Sequence, residues 1–307
     1  LGTPPDYDYI MGVTGAAFRR FWNRDDGGNI DLFYLGDEPA RRAFEALGYD
    51  WRPVPPEKPA MIAAIKESIG RGVPAIAFGI IGPPEAGLVT GYAEDGEVLH
   101  GWSYFQEGRE AYFERADWFE TMERGSHAGL GAIVVGERKE TRPAPRQVFM
   151  DALRWALDLE RTPARPGVPD HAAGLAAYEF WARGLEVDAD YPAEDSQVLG
   201  VRIMVHGDQT VMLDERANAA GFLRQAAVAL PEAADHLRTA AGLYDQVKDC
   251  EPHVWHWGES MGPDAQQGLA DPATRRGIAR AVREAAALEA RAVEHIEQAL
   301  VALAHTE

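Results

Sequence analysis

Two hydrophobic periodicities divide this chain of 307 residues. Up to about residue 140, segments that repeat every three to four residues alternate with short apolar runs of strand length. From residue 144 to the end the three-to-four repeat takes over and alanine is abundant. The stretch "ERKETRPAPRQ", with its prolines and mixed charges, is the natural seam, so domains of 1–140 and 144–307 are expected.

In the first part, "YDYIMGVTGAAFRRFWN" predicts a helix or helix pair capped by Asp6 or Asp8. "DEPARRAFEALGY" predicts a short helix that stops at Gly48, and "EKPAMIAAIKESIGRG" an amphipathic helix with Met61, Ile62, Ile65 and Ile69 on one face. "VPAIAFGI" and "LGAIVVGERK" have the length and apolarity of strands buried on both sides. Between them, Leu88–Tyr92 and Glu97–Trp102 predict a hairpin turned by "AEDG". Helices first and then a mostly antiparallel sheet define an α+β class. The second part predicts helices throughout, one of them capped near Asp170 and a long one from Ser196 to Leu230 broken near Gly207. The last, Asp271 to His305, carries Ile278, Val282, Ala285, Leu288, Ala292, Ile296, Leu300 and Leu303 as a continuous stripe. Such a stripe packs into a bundle or forms a seam for a second copy.

Composition narrows the functional classes. A net charge of −19 disfavours nucleic acid and anionic lipid, and suits a cationic small molecule such as a polyamine or aminoglycoside. No run approaches the roughly 18 apolar residues of a membrane span. The single cysteine, Cys250, fits a reducing cytoplasm and excludes an intrachain disulfide framework. No dinucleotide fingerprint, P-loop, HExxH or nucleophile elbow occurs, and no cofactor or metal is expected.

The segments "LGTPPDYDYIMGVTGAAFRRFW", "FEALGYDW", "GVPAIAFG" and "EAGLVTGYAEDGEVLHGWSYF" together resemble the N-terminal domain of the butirosin-biosynthesis protein H family. That family belongs to the papain-like superfamily, close to the C39-like peptidases. The resemblance covers residues 1 to 138. It implies a half-papain fold, in which a helix bearing a cysteine packs on an antiparallel sheet that presents a histidine. Its best-known member transfers an acyl group from a carrier protein to an aminoglycoside. "LG" at Leu1 and Gly2 resembles the end of a "YLG" segment, which places the family's cysteine upstream of Leu1. Aligned on Thr90, Gly91 and Tyr92, the family's histidine position holds Glu85, and the third triad position falls near Gly101 or Trp102. A carboxylate beside a thiol raises the thiol pKa instead of forming a thiolate–imidazolium pair.

Candidate catalytic residues are therefore Glu85, as a pocket acid or base, and His100 as a replacement base on the same sheet edge. Gly12 and Gly15, costly in a helical region, and Phe18 beside them are candidates for close ligand approach, with Trp102 and Tyr104 as an aromatic lining. In "CEPHVWHWGE", Cys250, His253, His256 and Glu259 have donor types that zinc or copper accepts. Pro252 and Gly258 make the segment an irregular aromatic loop with Trp255 and Trp257 buried, and His253, Trp255 and His256 are candidate ligand contacts. Cys250 is also a candidate nucleophile with a histidine of this loop as base. His171, Tyr178 and Trp181 form a helical stripe, while His206, Asp208 and Arg216 are polar positions that, if buried, must be paired. Three readings follow. One is a degenerate papain-like protein that binds a small molecule in a groove between its N-terminal helix, the 83–105 hairpin and the helical half. A second is an active acyltransferase or amide hydrolase. The third is a helical protein that dimerises through 271–305.

Overall fold

In a computed structural model, residues 5–25, 29–30, 32–83, 85–108, 112–123, 130–165, 171–258 and 260–305 are described. The elements run α1 (Tyr7–Thr14), β1 (Phe21–Trp22), α2 (Glu38–Leu47), β2 (Tyr49–Val54), α3 (Lys58–Gly70), β3 (Ala75–Phe78), β4 (Ala86–Ala93), β5 (Val98–Trp102), β6 (Phe113–Arg115), α4 (Trp118–Glu123) and β7 (Ala132–Arg138). There follow α5 (Pro145–Arg161), β8 (Ala172–Ala173), α6 (Gly174–Leu185), α7 (Ser196–Asp214), α8 (Arg216–Ala229), α9 (Ala234–Lys248), α10 (Glu251–Val254), α11 (Pro263–Ala270) and α12 (Pro272–Ala304). The chain is mixed α and β, with an antiparallel sheet in its first half and helices in its second. Among the described residues, no helix is long and apolar enough to cross a membrane.

Residues 44–143 form one compact unit. Its sheet has the order β2-β7-β3-β4-β5-β6, every neighbour antiparallel. The core gathers Met61, Ala64 and Ile65 of α3 with Ala75, Ala77, Val89, Leu99 and Val134 of the strands. β3 buries alternate residues, so it is half-covered rather than buried on both sides as its apolar run suggested. The hairpin is where the alternation placed it, slightly longer. Its acidic turn takes Glu94, Asp95 and Gly96 through positive φ (49°, 58° and 106°). That left-handed run is held from outside, because Trp118 Nε1 donates to the Gly96 carbonyl at 3.3 Å and Lys66 pairs with Asp95.

The remaining unit joins residues 1–43 to 144–307, and here the expected boundaries need correction. The seam near 140–144 holds, but the first 43 residues do not share a domain with the sheet. The reason is local. α1, capped by the Asp6 side chain on the Tyr9 N–H, ends at Gly15, whose φ of 85° stops the helix that the apolar pattern carried onward. Beyond it Phe18 packs edge-to-face on Phe222 and Tyr244, and Phe21 and Trp22 pair with Ala173 and Ala172 as a two-stranded ribbon. Every one of those partners lies in the helical half.

α12 runs through this unit beside α9 and α6. Asp271 caps it by accepting from the Ala273 and Thr274 N–H groups. Ile278, Val282, Ala285, Ala292, Ile296 and Leu303 are fully buried against the chain's own helices. The stripe that could have served a second copy is thereby packed within the unit. The long helix expected over 196–230 breaks at Glu215, between α7 and α8, and not at Gly207. The cap expected near Asp170 lies outside the described residues; α6 itself begins at Gly174.

Gly12 shows how tightly α1 is seated, since a Cβ there would fall within the ring of Phe222 on α8. Gly12→Ala is expected to lower unfolding free energy in urea by about 1–3 kcal/mol, overpacking outweighing alanine's better helix propensity.

Candidate functional site

The hairpin does not assemble the expected catalytic pair. Glu85 is exposed and precedes β4, where its N–H donates to the Pro83 carbonyl and its own carbonyl accepts from Gly79. His100 stands opposite Gly91 on β5, with Nδ1 3.8 Å from a Glu114 carboxylate oxygen. Glu85 and Gly91 are separated along the strand by roughly 20 Å at the usual rise per residue. The carboxylate and the imidazole therefore sit at opposite ends of the hairpin. Gly101 is held as glycine by packing, because a Cβ would meet Phe113 Cζ at 2.7 Å. Trp102 and Tyr104 pack edge-to-face at 4.5 Å, and Tyr104 is 65% exposed.

The candidate contacts in the first segment are packing residues. Gly12 and Gly15 accommodate Phe222 and Trp155, and Phe18 is wholly buried. These residues belong to a different unit from Glu85, His100, Trp102 and Tyr104.

Chemistry concentrates instead inside the helical unit, around a cluster without solvent contact. Arg216, at the start of α8, donates from Nε to Glu289 at 2.9 and 3.0 Å and from Nη2 at 2.6 Å. Its other donors reach the carbonyls of Ala17 and Arg19 at 3.0 Å and Phe18 at 3.4 Å. Tyr178 donates its hydroxyl to Glu289, and Tyr244 donates to Glu160 Oε1 at 3.3 Å. Glu160 Oε1 lies 3.7 Å from Arg216 Nη2. Arg20 lays its guanidinium over the Tyr178 ring at 4.0 Å and donates to Gln209 Oε1 at 3.0 Å.

Both carboxyls share one environment, but their protonation diverges. Burial raises the Glu160 pKa well above the carboxylate range, and the charge of Glu289 raises it further. Burial also opposes the charge on Glu289, yet Arg216 and its hydrogen bonds hold that carboxyl at about 2. Glu289 is the ionised partner and Glu160 the neutral one. Neutral Glu160 is hydrogen-bonded to Glu289, and among the described residues Arg20 Nε and Nη2 make no hydrogen bond.

A polar path leads outward from this cluster. Trp181, whose ring is 5.6 Å from the Arg20 guanidinium, donates Nε1–H to His206 Nδ1 at 3.3 Å. An accepting Nδ1 places the proton on Nε2, which donates to the Val254 carbonyl at 3.0 Å. Burial pulls the His206 pKa down to about 4, so the ring is neutral near neutral pH. It stacks on Trp255 at 5.6 Å, and Trp255 forms one wall of an open cleft of about 260 Å³.

Gly207, Thr210, Val211 and Asp214 supply the opposite wall, at the three- and four-residue steps of one face of α7. Glu251, Gly258 and Met261 complete it. Gly207 does not break the helix; it admits Met261, whose Cε would lie 2.6 Å from an added Cβ. Lys248 reaches Asp214 at 3.6 Å and Glu251 at 3.4 Å. The cleft thus has an apolar body of indole, thioether and valine, and an acidic end with one carboxylate charge beyond what Lys248 neutralises.

Compared with family models and with curated proteins, the sequence matches none. The reading of function rests on this geometry.

Of the loop residues picked out from sequence, Trp255 lines the cleft, while His253 and His256 are exposed. Glu259 lies outside the described residues. Trp255 and Trp257 are only half-buried, though each packs on His206 as an aromatic plug would. Cys250 is buried, donates to the Gln246 carbonyl at 3.4 Å, and has its thiol pKa raised by that burial, which makes it a poor nucleophile. Arg216, His206 and Asp208, which had to be paired if buried, are all buried and paired, Asp208 by accepting from the Asn29 N–H.

Sequence reasoning missed Arg20, Glu160 and Glu289. A signal was present for Glu289. Its step of four from Ala285 and of three to Ala292 keeps it in the buried row, although Leu288 meets the same row by three and then four, so the spacing alone leaves both open. A charged residue at a core position announces a buried partner.

Glu289→Gln is expected to lower stability by about 3–5 kcal/mol, because it strands Arg216 without a counter-ion. Glu160→Gln has the opposite expectation. A carboxyl that titrates higher when folded adds stability below the unfolded pKa and loses it as the pH rises, so this variant should gain on the parent as the pH rises above the unfolded carboxylate range in urea denaturation.

His206 predicts a second pH effect. The unfolded chain protonates this residue near 6.5, whereas the folded one keeps it neutral to about 4. Stability present above pH 6.5 is lost as the pH falls toward 4, by about 3 kcal/mol. His206→Gln should flatten that part of the stability profile relative to the parent.

Proposed function

We propose that this chain binds a small cationic amine in the Trp255 cleft and performs no cysteine-dependent catalysis. The observation that carries the reading is the pairing of an aromatic–aliphatic wall with the Asp214–Glu251 end in one cleft of small-molecule size. An ammonium on a short apolar chain meets both demands. Its charge compensates the carboxylate excess left by Lys248, and its methylenes cover Trp255, Val211 and Met261. The net charge of −19 raises the local concentration of such a ligand. Trp255 is set for this by the neutral, doubly hydrogen-bonded His206 beneath it.

The resemblance to the butirosin-H family supports the same ligand class, since the acceptor handled by its best-known member is a polyamine sugar. The antiparallel sheet carrying the Thr90–Gly91–Tyr92 strand supports a C39-like reading of residues 44–143. Loss of the imidazole at Glu85, and its distance from His100, favours binding over turnover. The amine would be held within the helical unit, by residues 207–261, and not by the hairpin.

Calorimetry and thermal shift at low salt with butylammonium, 1,4-diaminobutane and uncharged butanol test the proposal. Both amines should bind and butanol should not. Binding should be lost in Asp214→Asn with Glu251→Gln, weaken in Trp255→Ala, and persist in Glu85→Ala and His100→Ala. Amine binding that survives the cleft variants but disappears in Glu85→Ala would move the site to the hairpin; no binding of either amine would reject the reading.

A further inference from the structure

At the far end of the helical unit, His236 of α9 and His295 of α12 turn toward one another. Their Nδ1 atoms are 3.3 Å apart and their ring centroids 5.6 Å, with the planes inclined by 37°. Both side chains are half-buried, so the pair is anchored by its helices yet open to solvent. His236 also lines a broad surface depression with Glu232, Asp235 and Ala302. The helices cannot easily separate the two rings. Leu237, Ala240, Ile296 and Ala299, next to the histidines on either helix, are fully buried.

We propose that His236 and His295 form a two-histidine site for a divalent transition-metal ion. Two imidazole nitrogens bound at about 2.05 Å to a tetrahedral ion stand about 3.3 Å apart, which is the spacing found here without any rearrangement of the helices. Imidazole donors select zinc, nickel or copper over magnesium and calcium. Without metal the same spacing accommodates one Nδ1–H···Nδ1 hydrogen bond. Binding requires both Nδ1 lone pairs, so the ring that donates that bond gives up its Nδ1 proton and adopts the Nε2–H tautomer; no oxidation or reduction is involved. Among the described residues, no cluster of three or more histidine, cysteine or carboxylate side chains is positioned to hold a metal. The ion would therefore keep water in its other positions and exchange readily. Its effect is to tie α9 to α12, which pack along each other in this unit.

This inference is independent of the amine site, since no residue is shared with the Trp255 cleft. The test is titration of the untagged full chain with Zn²⁺, Ni²⁺ and Mg²⁺ by calorimetry, with thermal unfolding in parallel. Zn²⁺ and Ni²⁺ should bind at one equivalent and raise Tm, and Mg²⁺ should do neither. Each of His236→Asn and His295→Asn should abolish that equivalent, and circular dichroism identical to the parent's shows that the fold is retained. His253→Ala with His256→Ala should leave it intact. Binding that persists in both single variants, that disappears only with the loop histidines, or that is absent from the parent would overturn the proposal.

Discussion

Arg216 has all its donor nitrogens engaged in the interior of the helical unit, by Glu289 of α12 on one side and by the carbonyls of Ala17, Phe18 and Arg19 on the other. A buried guanidinium and a buried carboxylate each lose several kcal/mol of hydration, so neither is tolerated unless the other arrives in register. This condition ties three distant parts of the chain together. The first segment after α1 must lie across the start of α8, and α12 must present residue 289 at that height. The assignment of residues 1–43 to the helical unit follows from it, as does the direction in which Phe18 and Phe21 enter the core.

The same pair sets the protonation of its surroundings. Because Arg216 favours ionised Glu289, the second carboxyl in the cluster, Glu160, is left with burial and a like charge, and stays neutral. Arg20 is compensated by aromatic faces and an amide instead of a second carboxylate. Trp181, which carries part of that compensation, also fixes the His206 tautomer, and His206 supports the indole that lines the cleft. The proposed amine site is thus the solvent-facing end of a chain of polar contacts that begins at a buried ion pair. Its rigidity comes from that chain, while its charge preference comes from Asp214 and Glu251, which belong to the rim.

Much of the local architecture was readable from the residues. The patterns of Leu88–Tyr92 and Glu97–Trp102 about the acidic turn located the hairpin, because a strand with one covered face must repeat every second residue. Asp271 marked the start of α12, and Gly48 the end of α2. The failures have physical causes too. Apolar spacing carried the first helix past Gly15, where positive φ ends it, and placed a break at Gly207, whose missing side chain serves the approach of Met261. Leu288 was entered in the α12 stripe in place of Glu289 because both fit the three- and four-residue steps and hydrophobicity chose between them; Leu288 is half-buried on the core, and Glu289 is fully buried. The Glu85–His100 pairing failed because two residues near one sheet edge in sequence stand at opposite ends of their hairpin.

The amino-acid sequence by itself determined most of the helices, the hairpin, the caps at Asp6 and Asp271, the helical second half and the net acidity. These depend on spacings within one helix or strand and on totals over the chain, both of which are local or additive. Tertiary structure alone decided which unit owns the first 43 residues, which of two buried glutamates keeps its proton, and which residues face one another across the cleft and between α9 and α12. Those properties arise from side chains up to some two hundred positions apart meeting in a medium of low polarity. No periodicity records such a meeting, and there a displacement of one residue changes a paired charge into an unpaired one.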